Sequence, residues 1–103
     1  MQEMLGKTRP YTIIILRKTP KASEPGTDKI IWEHGRRNFE LRRDGKLCIT
    51  CPVGEESVSG VCIFNTDPEE TRKIYDGDPG VKAGIFVYEI HQTRSFPGDA
   101  LCK

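Results

Sequence analysis

The sequence predicts a single α+β domain in which strands and helices follow the order βαββαβ. Two observations carry this prediction: four short runs rich in β-branched and aromatic residues, and two longer segments with a helical period and clear start or stop signals. A chain of 103 residues has the size of one domain. The order is the split βαβ arrangement of the ferredoxin-like fold. We therefore predict one domain over residues 1–103, with a core at about 10–92 and a C-terminal tail at 93–103.

The strands are predicted from short apolar runs. The first is "YTIIILRK" from Tyr11 to Lys18, which a loop rich in Pro, Ser and Gly separates from the first helix. "KLCIT" and "SVSGVCIFN" are the second and third strands, joined by the polar turn "VGEE". "KAGIFVYEIH", residues 82–91, is the fourth. We expect these four strands to form one sheet.

The helices are predicted from their periods and their ends. The first runs from about Asp28 to Asp44, and Gly45 is its natural stop. The second lies in "TDPEETRKIYD", where Asp67 can cap the helix, Pro68 suits the first helical position and Glu70 favours the positive helix end. Both helices are expected on the same face of the sheet.

The first helix carries polar residues on the face where packing favours apolar ones. His34, Gly35, Asn38 and Arg42 fall within an apolar arc that is expected to face the sheet. An isolated histidine in such a place is more often a hydrogen-bonded core residue than a catalytic one, and both interpretations stay open at this point. The arc comprises Ile30, Ile31, Trp32, Phe39 and Leu41, and the charged side opposite it comprises Lys29, Glu33, Arg36, Arg37, Glu40 and Arg43.

An acidic residue follows the second helix in the stretch "YDGDPGVKAGIFVYEIH". Asp78 precedes Pro79, and the residue before a proline is pushed toward extended backbone. From there Asp78 can meet the middle of the first helix across a cleft, because both helices cover one face of the sheet. A carboxylate that orients an imidazole is a common device for moving protons near neutral pH. The alternative, an Asx-turn ahead of Pro79, is equally consistent with the local sequence.

Charge and hydropathy argue against two classes of partner. The chain has 16 basic and 15 acidic residues without a basic block, so no nucleic-acid binding is expected. The longest apolar run, "IIIL", is too short to span a bilayer, and no signal-peptide pattern is present at the N-terminus. We expect a cytoplasmic protein without a membrane partner.

The cysteines Cys48, Cys51, Cys62 and Cys102 are not predicted to form a metal or redox site. The pair in "CITC" lies in a predicted strand, where residues three apart point to opposite faces, and no second CxxC follows. We expect reduced, partly buried thiols. Phosphate-loop, dinucleotide and GxSxG motifs are also missing, so neither a cofactor nor a metal is expected.

The chain resembles the YCII-related family of small proteins over roughly residues 10–92. The resemblance lies in the helix "WEHGRRNFELRRDGKL", the turn "TCPVGEE", the run "VCIFNTDPEETRKIYDGDP" and, most specifically, "GDPGVKAGIFVYEI". It implies a ferredoxin-like fold that pairs into a dimeric α+β barrel, with an active site whose histidine and aspartate fall on His34 and Asp78. Some relatives act as dehydrochlorinases or muconolactone-type lyases.

With this resemblance, a small-molecule enzyme is the leading hypothesis. His34 is predicted to act as general base, and Asp78 to fix its tautomer and stabilise the imidazolium. Asn38 and Arg42 are predicted substrate contacts, Arg42 being suited to a carboxylate. The alternative is a non-catalytic module of the same fold that binds a small molecule or mediates dimerisation.

The predicted sheet also points to a homodimer. Helices on one face leave the other face uncovered, and "TIIIL", "VCIF" and "GIFVY" place apolar side chains there. We expect two copies of the chain to pack sheet to sheet.

Overall fold

A computed structural model describes residues 6–101 as an α+β fold with one antiparallel sheet in the order β2-β3-β1-β4. The predicted α+β class is confirmed, and the element order is consistent with the ferredoxin-like arrangement. No helix in this range has the length and apolar character needed to cross a membrane. The strands are β1 (Arg9–Lys18), β2 (Leu47–Pro52), β3 (Gly60–Phe64) and β4 (Phe86–Ser95); the helices are α1 (Asp28–Arg43), α2 (Pro68–Asp76) and α3 (Pro79–Lys82), with a 3₁₀ helix at Pro20–Ser23.

The core lies between one face of the sheet and the helices. Side chains alternate along a strand, so every second residue of β1 and β3 points to the helices. Phe64 of β3 meets Tyr75 of α2 edge to face, with ring centroids 5.7 Å apart. The buried cluster comprises Ile14, Leu16, Leu47, Cys62, Phe64, Tyr75, Ile85 and Phe86.

The helix ends follow the predicted local signals. Gly45 has φ 78°, a left-handed conformation that glycine adopts without steric cost, and its N–H donates to the carbonyl of Arg42. At the start of α2, the Asp67 carboxylate accepts the backbone N–H of Glu70 at 2.8 Å. The predicted stop of the first helix and cap of the second are confirmed.

The buried arc of α1 is narrower than the sequence analysis predicted. Trp32 and Phe39 are 67% and 65% exposed, so neither is buried against the sheet as predicted. His34 and Asn38 are buried at its centre instead, flanked by Ile30, Ile31 and Leu41, which pack on the core. The assignment of Arg37 to the charged outer side is also wrong, because its guanidinium reaches inward to within 3.8 Å of Asp78. His34 and Asn38 can occupy the inner side of α1 because both line a cavity between this helix and the strands.

The fourth strand starts later than predicted. Residues 79–82 form α3, whose first position is Pro79, and β4 runs from Phe86 to Ser95 beside the whole length of β1. The predicted strand at 82–91 is therefore displaced toward the C-terminus, and residues 93–95 belong to β4 and not to a tail. Asp78 itself has an extended backbone, and its side chain caps the short helix that begins at Pro79.

The cysteines depart in part from the prediction of reduced thiols. Cys51 and Cys62 are free, as predicted, but Cys51 is exposed and not partly buried, and Cys48 is disulfide-bonded. Cys48 lies where the pairing of β2 with β3 shifts register between Leu47 and Ile49. Cys102 lies outside the described residues.

The sheet face opposite the helices, called the open face below, carries no helix within residues 6–101. A cluster of three polar residues interrupts this face. Nε of Arg17 donates to one carboxylate oxygen of Glu89 at 2.9 Å, and the other oxygen of Glu89 lies 3.1 Å from Nε2 of His91. The remaining open-face residues between the strand ends are largely apolar: Ile13, Ile15, Ile49, Val61, Ile63 and Val87.

Gly80 is the residue through which α3 packs on β4. A Cβ there would lie 2.4 Å from Cδ2 of Phe86, well inside van der Waals contact. We predict that Gly80→Ala lowers the free energy of unfolding by about 1–3 kcal/mol, the usual cost of overpacking. Urea denaturation measures this change.

Gly35→Ala in α1 is the matched control, because a Cβ at Gly35 meets nothing within 4 Å. Alanine in a helix is favoured over glycine by about 0.5–1 kcal/mol, so this variant should be at least as stable as the parent. Equal destabilisation by the two substitutions would contradict the predicted clash.

Candidate functional site

His34 and Asp78 form a buried hydrogen-bonded pair. His34 lies in the middle of α1, Asp78 lies just before α3, and Nδ1 of the imidazole is 2.8 Å from Oδ1 of the carboxylate. Asp78 is fully buried and His34 is 9% exposed. A carboxylate oxygen accepts, so Nδ1 carries the proton and donates it, and Nε2 is the nitrogen left with a free lone pair in the neutral imidazole.

The two oxygens of Asp78 have different partners. Oδ2 accepts the backbone N–H groups of Gly80 at 2.9 Å and Val81 at 3.2 Å, while Oδ1 accepts from His34. Nη1 of Arg37 lies 3.8 Å from Oδ1 and supplies a nearby positive charge. The sequence left two interpretations of Asp78 open, a local turn or a partner for His34. The structure contains both contacts, one on each oxygen.

The remaining neighbours of His34 fix its ring. Phe86 of β4 lies against the imidazole with ring centroids 4.7 Å apart at an interplanar angle of 42°. Nδ2 of Asn38, one helical turn further along α1, is 3.5 Å from Nε2. Oδ1 of Asn38 is buried and has no hydrogen-bond partner among the described residues.

A cavity of about 420 Å³ opens beside the pair, between α1 and the strands. Both His34 and Asn38 line it, so a molecule bound there would lie against these two side chains. No aspartate or glutamate is among its lining residues, and Lys18 is the lining residue with a permanent positive charge. The lining comprises Leu16, Lys18, Ile31, His34, Gly35, Asn38, Phe39, Thr50, Cys51, Pro52, Val53, Ser59, Gly60, Cys62 and Phe86. This size and lining suit a small molecule with an apolar body.

The predicted site residues are distributed unequally around this cavity. His34, Asp78 and Asn38 come together, whereas Arg42 does not line the cavity. Arg42 is exposed, with its guanidinium carbon 5.9 Å from the ring centroid of Phe39. Its role as a substrate contact stays a prediction.

Sequence reasoning missed the residues that strands contribute to the cavity. Lys18 ends β1 and Phe86 begins β4, and the two are paired across the strands. Alternation along β1 would have placed Lys18 on the helix-facing side with Ile14 and Leu16. No comparable signal identifies Phe86, because its approach to His34 depends on where β4 starts.

The thiol at the bottom of the cavity is not activated. Burial raises the pKa of the Cys62 thiol, which accepts the Tyr75 hydroxyl at 3.3 Å. Within residues 6–101, no group of three or more His, Cys, Asp or Glu side chains is arranged to hold a metal ion. The imidazole is therefore the group of this site best suited to proton transfer.

No protein-family model matches the chain, and no curated protein matches it. Among solved structures, the chain is similar to the solution structure of the C-terminal domain of the MgtC protein from Mycobacterium tuberculosis. The identity is 15%, the TM-score is 0.39, and the match covers 89% of this chain and 93% of that chain. Membership of the YCII-related family stays a prediction.

Asp78→Asn tests whether the carboxylate sets the tautomer of His34. The asparagine carbonyl oxygen can still accept the hydrogen bonds from the N–H groups of Gly80 and Val81. The NH₂ group of the asparagine then points toward Nδ1 of His34. Nδ1 must then accept, and the proton moves to Nε2. Side-chain ¹⁵N NMR should find the proton on Nδ1 in the parent and on Nε2 in the variant.

We expect this variant to fold, with its free energy of unfolding lowered by about 1–3 kcal/mol because a buried charged hydrogen bond is lost. Asp76→Asn is the control, since Asp76 bonds only the exposed hydroxyl of Tyr88 among the described contacts and should leave the tautomer unchanged. An unaltered His34 tautomer in Asp78→Asn would contradict the assignment.

Proposed function

We propose that this chain is a cofactor-independent acid–base enzyme in which His34 moves a proton on a small-molecule substrate. The observation that carries the proposal is the 2.8 Å bond between His34 Nδ1 and Asp78 Oδ1 at the wall of a cavity. The reaction class is a lyase or isomerase, of dehydrochlorinase or muconolactone type. That class is taken from the resemblance to the YCII-related family.

In the proposed mechanism Nε2 of His34 is the reacting atom. It removes a proton next to an activated carbonyl, or returns one to a leaving group, and the ring becomes an imidazolium when it takes the proton up. Asp78 then faces that positive charge directly, and its backbone donors and Arg37 keep the carboxylate in place. General acid–base catalysis of this kind contributes about 10² to 10⁴ in rate.

Two residues are proposed to contact the substrate. Asn38 lines the cavity beside Nε2 and is the better supported of the two. Arg42 would contact only a substrate that extends past Phe39, whose ring the guanidinium overlies. In that position Arg42 would bind a carboxylate at the cavity mouth.

The alternative is a module that binds a small molecule without turnover. One observation favours it: Nδ2 of Asn38 lies 3.5 Å from Nε2, where it competes with a substrate proton for the lone pair. A binding module keeps the cavity and the His34–Asp78 pair but shows no chemistry. Turnover separates the two hypotheses.

The proposed cytoplasmic location and homodimer also stay predictions. Disulfides are rare in the cytosol, so the disulfide at Cys48 counts against that location. The apolar open face supports a second copy of the chain as its cover.

A panel of lactones and halogenated carboxylic acids tests the catalytic proposal. With a turned-over member of the panel, His34→Gln should lower the rate about 10² to 10⁴-fold. Glu33→Gln is the control, because Glu33 pairs with Arg36 on the exposed side of α1 and should leave the rate unchanged. Turnover that survives His34→Gln would refute the proposed base, and binding without turnover would favour the module.

Light scattering tests the homodimer. We expect twice the mass of one chain at micromolar concentration, and a return to one chain in Ile63→Asp, which places a charge in the middle of the open face. Trp32→Asp is the matched control, since Trp32 is 67% exposed on α1, away from that face. A parent that scatters as a monomer would rule out the sheet-to-sheet dimer at that concentration.

A further inference from the structure

An oxygen beside the proposed base lacks a partner. Oδ1 of Asn38 is buried, and no described group donates a hydrogen bond to it. The residue is 9% exposed and lines the cavity, while its own Nδ2 lies against Nε2 of His34. A buried polar atom without a partner costs free energy, which a ligand recovers if it brings the missing donor. Because this oxygen has almost no exposed surface, the amide must turn about its last bond to meet that donor.

The charge of the cavity wall favours an anion. Lys18 makes no ion pair within the described residues, and the cavity lining holds no acidic side chain. Glu55 and Glu56 line a neighbouring depression that Lys18 also borders, so they offset part of its charge. A carboxylate at Lys18 would gain a charge-assisted hydrogen bond on the cavity side.

The rest of the cavity is apolar. Leu16, Ile31, Val53 and Phe86 contribute to its walls, and its volume of about 420 Å³ accepts an aromatic ring or a branched aliphatic group. A ligand that matches all three features therefore has an apolar body, a carboxylate and a hydrogen-bond donor.

We propose that the cavity binds a small hydroxy acid with an apolar body. Its carboxylate binds Lys18, and its hydroxyl donates to Oδ1 of Asn38, which holds the carbon bearing that hydroxyl close to Nε2 of His34. The proposal rests on the proposed function, in that it names the substrate class of the same site. Asn38 is the residue that selects for the hydroxyl.

Three probes separate these contributions: mandelate, phenylacetate, which lacks the hydroxyl, and methyl mandelate, which lacks the charge. Dissociation constants are measured by NMR titration at millimolar ligand with the whole chain. In the parent, mandelate should bind about fivefold more tightly than phenylacetate and about tenfold more tightly than methyl mandelate. These comparisons need no variant to fold.

Two variants then locate the preferences. Asn38→Leu should bind mandelate and phenylacetate equally, and it should melt close to the parent because it removes an unpaired buried oxygen along with only a long contact to Nε2 of His34. Lys18→Met should bind mandelate and methyl mandelate equally. Lys29→Met removes the same charge from the exposed start of α1, outside the lining residues, and should keep the parent's preferences.

Equal binding of mandelate and phenylacetate by the parent would overturn the proposal, and so would a preference for the hydroxyl that persists in Asn38→Leu. Failure of all three probes to bind would overturn it as well. None of these results bears on whether His34 catalyses proton transfer, which the turnover assay with His34→Gln decides. The expected binding pattern without any turnover dependent on His34 would support the ligand class and refute the catalytic proposal.

Discussion

A single buried carboxylate joins the turn after α2 to the middle of α1. One oxygen of Asp78 is held by backbone N–H groups of α3, and the other is held by His34. A carboxylate with no exposed surface is tolerated only when both oxygens are bonded, since an unpaired buried charge is among the most costly defects a core can contain. The position of α3, and with it the close contact of Gly80 with Phe86 of β4, depends on that double role.

Much of the fold follows from local rules that act over a few residues. The apolar runs set β1 and β3, Gly45 ends α1 because its backbone takes φ 78°, and Asp67 caps α2. The predicted start of the last strand was wrong because α3 is only four residues long and is followed directly by an apolar run. Periodicity cannot resolve so short a helix, and only the cap at Asp78 signals it.

The sequence predicted the part of the candidate site that lies on α1 and in the turn before α3. His34 and Asn38 stood out because they are polar residues on an apolar arc, and Asp78 because it precedes a proline. Alternation along β1 would have placed Lys18 on the helix-facing side, whereas Phe86 was missed because its approach to His34 depends on where β4 starts.

Two separate parts of the chain supply the hydrogen-bonded pair and the opposite wall of the cavity. His34 and the backbone donors to Asp78 come from α1 and α3, whereas the facing wall comes from β2, β3 and the turn between them, where Thr50, Pro52, Val53 and Ser59 line the space. Those wall residues hold none of the hydrogen bonds that fix His34 and Asp78. Residues 50–60 can therefore change, and with them the shape of the cavity, without loss of the hydrogen bonds between His34 and Asp78. Insertions in this hairpin offer the same freedom to protein engineers.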